Sequence, residues 1–432
     1  MPPRRRDDNW VDGVRGVASL IVVTGHLCSS FAPYLQNPAL AENGPIGFWQ
    51  LPFLRLAMGG RGAVALFFVI TGFVNSLSTV KSARAANTHA ALTGLARSSF
   101  TRSGRLVLPT SSATVIAWFL TQIGAFQLAK RVDAGWIRNV GHDPDPFAVS
   151  LLKLLRSVTI YWSSGGGEYD ATHWPLPFFL HGSFRIYVAL LAMILVAPRY
   201  WWLITSFLYV FSWVSSDYLI GTNIFAGMLI AQLHVDYGSR ATSMLPKIVP
   251  SILIILGLFL WCIPQDNPHW ALWSRIMQNC FAAITPRGSE TNKYCSSVGV
   301  TLLMLGIFFS KNARKLLTTP FFNFLGRVSY PVYLLHNSLI RTILVWMIYG
   351  PNAAKTPLRD DKGKLVEVKR AGPLAFVLAI PTFYVVLYMV SWLWTKHVDP
   401  ACASVVDWMK DLMFLEEEKQ PQEKPLPLTQ VT

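Results

Sequence analysis

The apolar residues of this 432-residue chain gather into long continuous runs of membrane-spanning length, and that feature removes most folds from consideration. A hydrocarbon core about 30 Å thick offers the backbone no water, so a crossing chain must pair its own N–H and C=O groups in helices or in a closed barrel. The runs here lack the short period-two alternation of barrel strands. They predict an all-α integral membrane protein with about ten transmembrane helices in a single bundle. The expected spans lie near 14–35, 62–80, 106–126, 178–197, 200–216, 219–235, 247–264, 296–310, 328–350 and 372–395. Those near 200–216 and 296–310 are marginal, because helices below about 17 residues cross only with snorkelling ends or local thinning. Charged residues make up 14% of the chain, against roughly 25% in soluble domains, which excludes an ordinary soluble enzyme.

Orientation is read from where Lys and Arg collect. Arg4, Arg5 and Arg6 precede the first span, Lys81, Arg84, Arg97, Arg102 and Arg105 separate the second from the third, and Lys311, Arg314, Lys315 and Arg327 separate the eighth from the ninth. In a ten-span chain all three segments share one side, which the positive-inside rule makes cytosolic, with both termini there. The loop before the last span disagrees: Lys355, Arg359, Lys362, Lys364, Lys369 and Arg370 outnumber Asp360, Asp361 and Glu367. Early segments usually dominate orientation, so the assignment stands. The first span then reads as a retained signal anchor in a multi-pass endomembrane protein, since no small-residue cleavage site follows it. The expected division is a cytosolic N-terminus over 1–13, a membrane domain over 14–396, and a cytosolic tail over 397–432 whose charged, Pro-rich end is disordered. The net charge of +15 reads as positivity facing anionic lipid; with no compact basic domain, no nucleic-acid partner is expected. No metal pattern is visible. Cys280 and Cys295 share one expected loop and are candidates for a disulfide. Oligomeric state has no sequence signal.

Three polar groups inside or beside the spans carry the chemical argument. Arg15 and His26 are eleven positions apart on the first span, which returns them to within about 20° of one helical face, roughly 16 Å apart along the axis. An ionisable group deep in a bilayer costs about 2–4 kcal/mol by insertion scales, so His26 requires a structural or functional reason. Asp12, three residues before Arg15, can hold that arginine at the helix entrance. Arg102 and Arg105 are one turn apart before the third span, where two planar guanidinium groups can converge on a phosphate; positive-inside topology or lipid headgroups account for them equally well. In the ninth span Tyr333, His336 and Asn337 share a face, with Tyr330 one turn earlier. Such a stripe faces protein or a water-filled cavity, and helix-packing hydrogen bonds explain the tyrosines as well as catalysis does.

Together these elements resemble the integral-membrane acyltransferase 3 family, with a look closest to its fungal members. The matching residues are Val11-Asp12-Gly13-Val14-Arg15-Gly16 with His26, then Phe67-Phe68-Val69-Ile70-Thr71-Gly72, the Arg102-x-x-Arg105 pair, and Ser329-Tyr330-x-x-Tyr333-Leu334-x-His336. Their order and spacing cover residues 11 to 337. The resemblance implies an O-acyltransferase, commonly an acetyltransferase, that moves an acyl group from acyl-CoA as co-substrate to a hydroxyl, with no permanently bound cofactor. On that basis Arg102, Arg105 and Arg15 bind the CoA phosphates, and His26 takes the hydroxyl proton, with Asp12 the other candidate in the catalytic group. Tyr330, Tyr333, His336 and His181 are further candidates. Fungal membership suggests a small, fairly apolar acceptor such as a terpenoid or polyketide alcohol in a secondary-metabolite pathway. The chain departs from the family in one place. After Trp174 the family's motif usually carries an acidic residue, and here Phe179 holds that position, leaving His181, Glu168 or Asp170 to supply its role. The competing expectations are a proton-coupled transporter or exporter that uses His26 and His336 as relays, and a non-catalytic lipid-binding relative.

Overall fold

A computed structural model of the chain describes residues 9–138, 143–164 and 169–414. Helices occupy all ten expected positions and are labelled here α1 (Trp10–Phe31), α2 (Gly60–Arg84), α3 (Thr88–Gln122), α4 (Leu176–Met193), α5 (Trp201–Val214), α6 (Gly221–Tyr237), α7 (Ile248–Trp261), α8 (Thr291–Phe309), α9 (Pro320–Leu339) and α10 (Pro373–Met413). Among the described residues the only β pairing is two isolated bridges.

Ten helices are not ten spans. Six are long and apolar enough to cross a membrane: α1, α2, α4 with its lead-in from Ala171, α8, α9 with its continuation to Ala353, and α10. A seventh is added if α6, continued to Met244, and α7 count together, although they meet at a bend of 109°. The 14 residues of α5 span only about 21 Å, short of the hydrocarbon core. α3 begins far outside its expected range and carries Pro109 and a run of Ser and Thr in its second half. The marginal stretch at 296–310 lies within a 19-residue α8, because the helix starts five residues early at Thr291. That early start places Cys295 inside the buried face of α8, while Cys280 is exposed, and all five cysteines are free thiols, so the two candidates for a disulfide are not bridged. The expected domain boundary at 396 falls inside α10, which runs helical to Met413 through Pro381 and Pro400. The charged tail beyond 414, like Arg4 to Arg6 and Glu168, lies outside the described residues.

Close packing of α1 on α9 positions the site residues of both helices. A Cβ on Gly16 would stand 2.6 Å from the backbone nitrogen of Gly326, and one on Gly326 would collide with the carbonyl oxygen of Asp12. Only glycine lets these backbones touch, so Gly16 and Gly326 set the separation at which Arg15 and the α9 polar stripe meet. At the other end of α1 a cap covers the bundle. It is built from residues 128–138 and the basic loop before α10: Val368 donates to the carbonyl of Arg131 at 2.6 Å, Arg131 donates to the carbonyl of Pro357 at 2.6 Å, and Asp133 accepts from Tyr349 at 2.6 Å. Two members of the anomalous basic loop are tied into this cap, Arg370 to Asp133 at 3.6 Å and Glu367 to Arg138 at 2.6 Å. Arg55 braces the same end by donating to the carbonyls of Leu35, Gln36 and Asn37. Burial pushes its pKa down to about 10, which leaves it charged at neutral pH.

Candidate functional site

Two polar regions lie along α1 and α9, joined by Tyr333. The first is a cavity of about 780 Å³ at the end where α1 and α9 begin, lined by Arg15, Arg97, Arg102, Arg105, Arg327 and Lys410, with Phe67, Leu176 and Phe179 among its apolar walls. Arg15 is held rigidly there: its Nε donates to the hydroxyl of Ser329 at 2.8 Å, one Nη to the carbonyl of Gly326 at 2.7 Å, and Asp12 pairs with it at 3.2 Å. Arg102 reaches the carbonyl of Val74, and Arg105 lies 3.9 Å from Asp407 on the extension of α10. Six cations around one cavity, most of them Arg with a planar donor fork, suit a ligand bearing several phosphates.

The second region is a buried cluster deeper along the same helices. The imidazole of His26 is partly accessible and stacks on His336, with ring centres 5.3 Å apart, and on Trp136 of the cap, 4.7 Å apart. His336 is fully buried, and its Nδ1 lies 2.7 Å from the carbonyl of Tyr333. A carbonyl only accepts, so Nδ1 carries the proton and the lone pair of a neutral ring sits on Nε2, which has no partner. Asp170 enters from the segment before α4. Its Oδ1 accepts from the backbone N–H of Thr172 at 2.9 Å, the Thr172 hydroxyl at 2.6 Å and the Asn337 amide at 2.8 Å. Burial alone would raise the pKa of this carboxyl, but neighbouring His173 and the two Thr172 hydrogen bonds hold it below the ordinary value, so it is a carboxylate. His173 in turn donates Nε2–H to the carbonyl of Leu334 at 2.9 Å, and Tyr333 donates its hydroxyl to the carbonyl of Thr172 at 2.6 Å.

Tyr333 therefore belongs to both regions. It lines the arginine cavity, and its ring centre is 5.9 Å from that of His336. The cluster is also unusual in how much polarity it leaves unpaired: Asp170 Oδ2, His336 Nε2, Asn337 Oδ1, and Nε and Nη2 of Arg341 are all buried without a hydrogen-bond partner. Each such atom costs roughly 1–3 kcal/mol to leave unpaired, so this part of the interior has unmet hydrogen-bonding capacity.

The structure brings together most of the residues singled out by the sequence and separates others. Arg15, Arg102, Arg105, Tyr330 and Tyr333 line one cavity, and His26 meets His336. Tyr330 spends its hydroxyl on α3, bonding Thr110 at 2.7 Å and the carbonyl of Leu106 at 2.8 Å. Asp12 sits at the arginine end, fourteen residues and roughly 21 Å from His26 along α1, and its side chain is engaged with Asn9 and Arg15. His181 points elsewhere, its ring packing edge-on against Phe178 within α4. Phe179 stacks on Phe68 and joins the cavity wall, so it contributes surface and no acid. Of the two described residues weighed as substitutes for the missing acid, His181 and Asp170, only Asp170 is inside the cluster; Glu168 lies outside the described residues. Three residues escaped the sequence reading altogether, Lys410 of the cavity, Trp136 and Arg341. Trp136 lies in a connecting segment with no distinguishing pattern, whereas Arg341, a charge inside the ninth span, carried a signal that was there to be read.

The fold and site define a multi-helix membrane protein with a cation-lined cavity, one of whose lining residues, Tyr333, also packs near a stacked histidine pair. Residues 8–394 match the family described as acyltransferase domain, the acyltransferase 3 family, and the chain belongs to it. Fungal relatives are similar at low identity. An O-acetyltransferase of Phomopsis amygdali, PaAT-1, is 25% identical over 366 residues, covering 78% of this chain and 72% of its own. Acyltransferase R4 of Phoma sp. (strain ATCC 20986 / MF5453) is 22% identical over 389 residues, covering 77% of this chain and 82% of its own. Acyltransferase clz18 of Cochliobolus lunatus is 23% identical over 388 residues, with the same coverage of both chains. No solved structure matches the chain.

Proposed function

We propose that the protein is a membrane O-acyltransferase that moves an acyl group, acetyl in the first instance, from acyl-CoA to the hydroxyl of a small, fairly apolar alcohol. One observation carries this reading: Tyr333 lines the arginine cavity, and its ring centre is 5.9 Å from that of His336, which stacks on His26. A donor with its phosphates on Arg15, Arg102 and Arg105 can extend its thioester past Tyr333 toward His26. His26 accepts the proton of the acceptor hydroxyl as the oxygen attacks the thioester carbon. The C–O bond forms, the C–S bond breaks, and the proton passes from the imidazolium to the departing thiolate of CoA. Asp170 is a positioning residue: through Thr172, Asn337 and His173 it fixes the stretch of α9 that carries His336. Asp12 holds Arg15 and takes no part in proton transfer.

In this reading the arginine end faces the cytosol, where acyl-CoA is found, and the Arg and Lys distribution around the first three spans supports that orientation. The fungal relatives named as acyltransferases support a terpenoid or polyketide alcohol of a biosynthetic pathway as acceptor, in an endomembrane. The test is to incubate membranes containing the protein with labelled acetyl-CoA and a panel of such alcohols. Transfer that falls by about 10²–10⁴-fold in His26→Ala is the expected result. Equal product from wild type and variant would remove His26 from the mechanism, and pH-gradient-driven solute uptake without any acyl-CoA requirement would replace the reading with a transporter.

A further inference from the structure

Arg341 is the buried charge that neither the anion cavity nor the proton-transfer residues use. It is 1% exposed, and two of its donors, Nε–H and Nη2–H, have no partner. Its position is set by an irregularity in the backbone: α9 does not end at Leu339 but passes through a π-helical turn, Ile340–Leu344, before Val345–Ala353 resumes the α-helix. A π turn inserts an extra residue into the helix and re-aims the side chains that follow, and such turns concentrate at functional sites. The guanidinium lies 5.8 Å from the centre of the Trp136 ring, and that same ring stacks on His26 at 4.7 Å. Arg341 and His26 thus flank one indole, one turn of α9 beyond His336 and Asn337.

The nearby carboxylate does not neutralise it by direct contact. Asp170 Oδ1 is committed to Thr172 and Asn337, its Oδ2 faces His173 at 3.7 Å, and Arg341 forms no ion pair with it. A buried guanidinium with two parallel donors unpaired is expensive to maintain, by several kcal/mol on the usual scale for desolvated ions. It is also what acyl transfer requires. When an alcohol oxygen attacks a thioester, the carbonyl oxygen becomes a full negative charge in the tetrahedral intermediate, and preorganised donors in a dry site are the largest single source of its stabilisation.

Building on the acyltransferase reading, we propose that Arg341 is the oxyanion-stabilising residue, donating Nε–H and Nη2–H to the thioester carbonyl oxygen while His26 takes the proton of the attacking hydroxyl. The balance of the step is closed: the electron pair displaced from C=O rests on the oxygen facing Arg341, then reforms the carbonyl as the C–S bond breaks and the thiolate takes the proton held by His26. Arg341 contributes to the chemical step and not to holding CoA, since it is absent from the arginine cavity.

The experiment compares Arg341→Gln and Arg341→Lys with wild type, using the full-length protein purified in detergent, labelled acetyl-CoA, and the alcohol acetylated best in the panel above. Arg341→Gln should lower kcat by about 10²–10³-fold with KM for acetyl-CoA unchanged. Arg341→Lys, which keeps the charge but offers a point donor in place of the fork, should recover part of the rate. Equilibrium binding of labelled acetyl-CoA serves as the control for folding and should match wild type in both variants. Full kcat in Arg341→Gln, or loss of acetyl-CoA binding in both variants alongside loss of rate, would overturn the assignment and leave the acyltransferase reading intact. Absence of acyl transfer in wild type would overturn that reading, and this one with it.

Discussion

Asp170 shows how a single side chain organises the site without touching a reactant. One of its oxygens accepts three hydrogen bonds, which tie the segment before α4 to Asn337 on α9. Removing it leaves Asn337 and the Thr172 donors unpaired in the interior, so Asp170→Ala should destabilise the protein by about 2–4 kcal/mol, read as a lower unfolding midpoint in detergent. Asp170→Asn keeps the shape and can still accept, so it should cost less stability while still lowering kcat. Equal midpoints for Asp170→Ala and wild type would show that the carboxylate is not an anchor. Asp170 was legible only as one of three substitutes for an acid missing at Phe179. Sequence distance hid the rest, because the hydrogen bond that joins Asp170 to the α9 stripe links residues 167 positions apart.

At the scale of elements, the pairing of α1 with α9 explains why small residues flank the functional ones. Asp12, Arg15 and Gly16 on one helix meet Gly326 and Ser329 on the other, so what reads as a motif is a single contact seen from both sides. Gly16→Val should force the helices apart, lowering the unfolding midpoint and acyl transfer together, whereas a Val at an exposed position of α1 should do neither; an undisturbed Gly16→Val would contradict the backbone contact. The apolar runs located ten helices because each must bury or present an apolar surface along its length; they did not reveal Phe147–Thr159 or Leu272–Ala282. Six of these helices, or seven with the bent pair counted as one span, are long and apolar enough to cross by themselves. α5 is too short, and the sharp bend between α6 and α7 depends on packing that no local pattern records. The same limit applies to α10: hydropathy falls near residue 396, but the helix continues, and Lys410 on its extension joins the arginine cavity.

In the proposed reaction the two ends of the molecule would divide the work. One gathers Arg15, Arg97, Arg102, Arg105, Arg327 and Lys410 around a cavity, the other is closed by a cap whose Trp136 presses on His26, and Tyr333 stands between them. Arg15, Arg102 and Arg105 were visible as spacing, and the stripe on α9 as a shared face; the gathering of Arg327 and Lys410 with them and the cap over His26 are long-range facts that no single segment contains. The division makes binding and chemistry separable, and one measurement tests that directly: affinity for labelled acetyl-CoA beside the rate of acyl transfer in His26→Gln and in the double variant Arg102→Gln/Arg105→Gln. The account predicts that His26→Gln binds acetyl-CoA as wild type does while transfer falls by at least about 10²-fold, and that the double variant weakens binding by about tenfold or more, with a smaller salt dependence. Wild-type transfer by His26→Gln, or unchanged affinity in the arginine double variant, would contradict it.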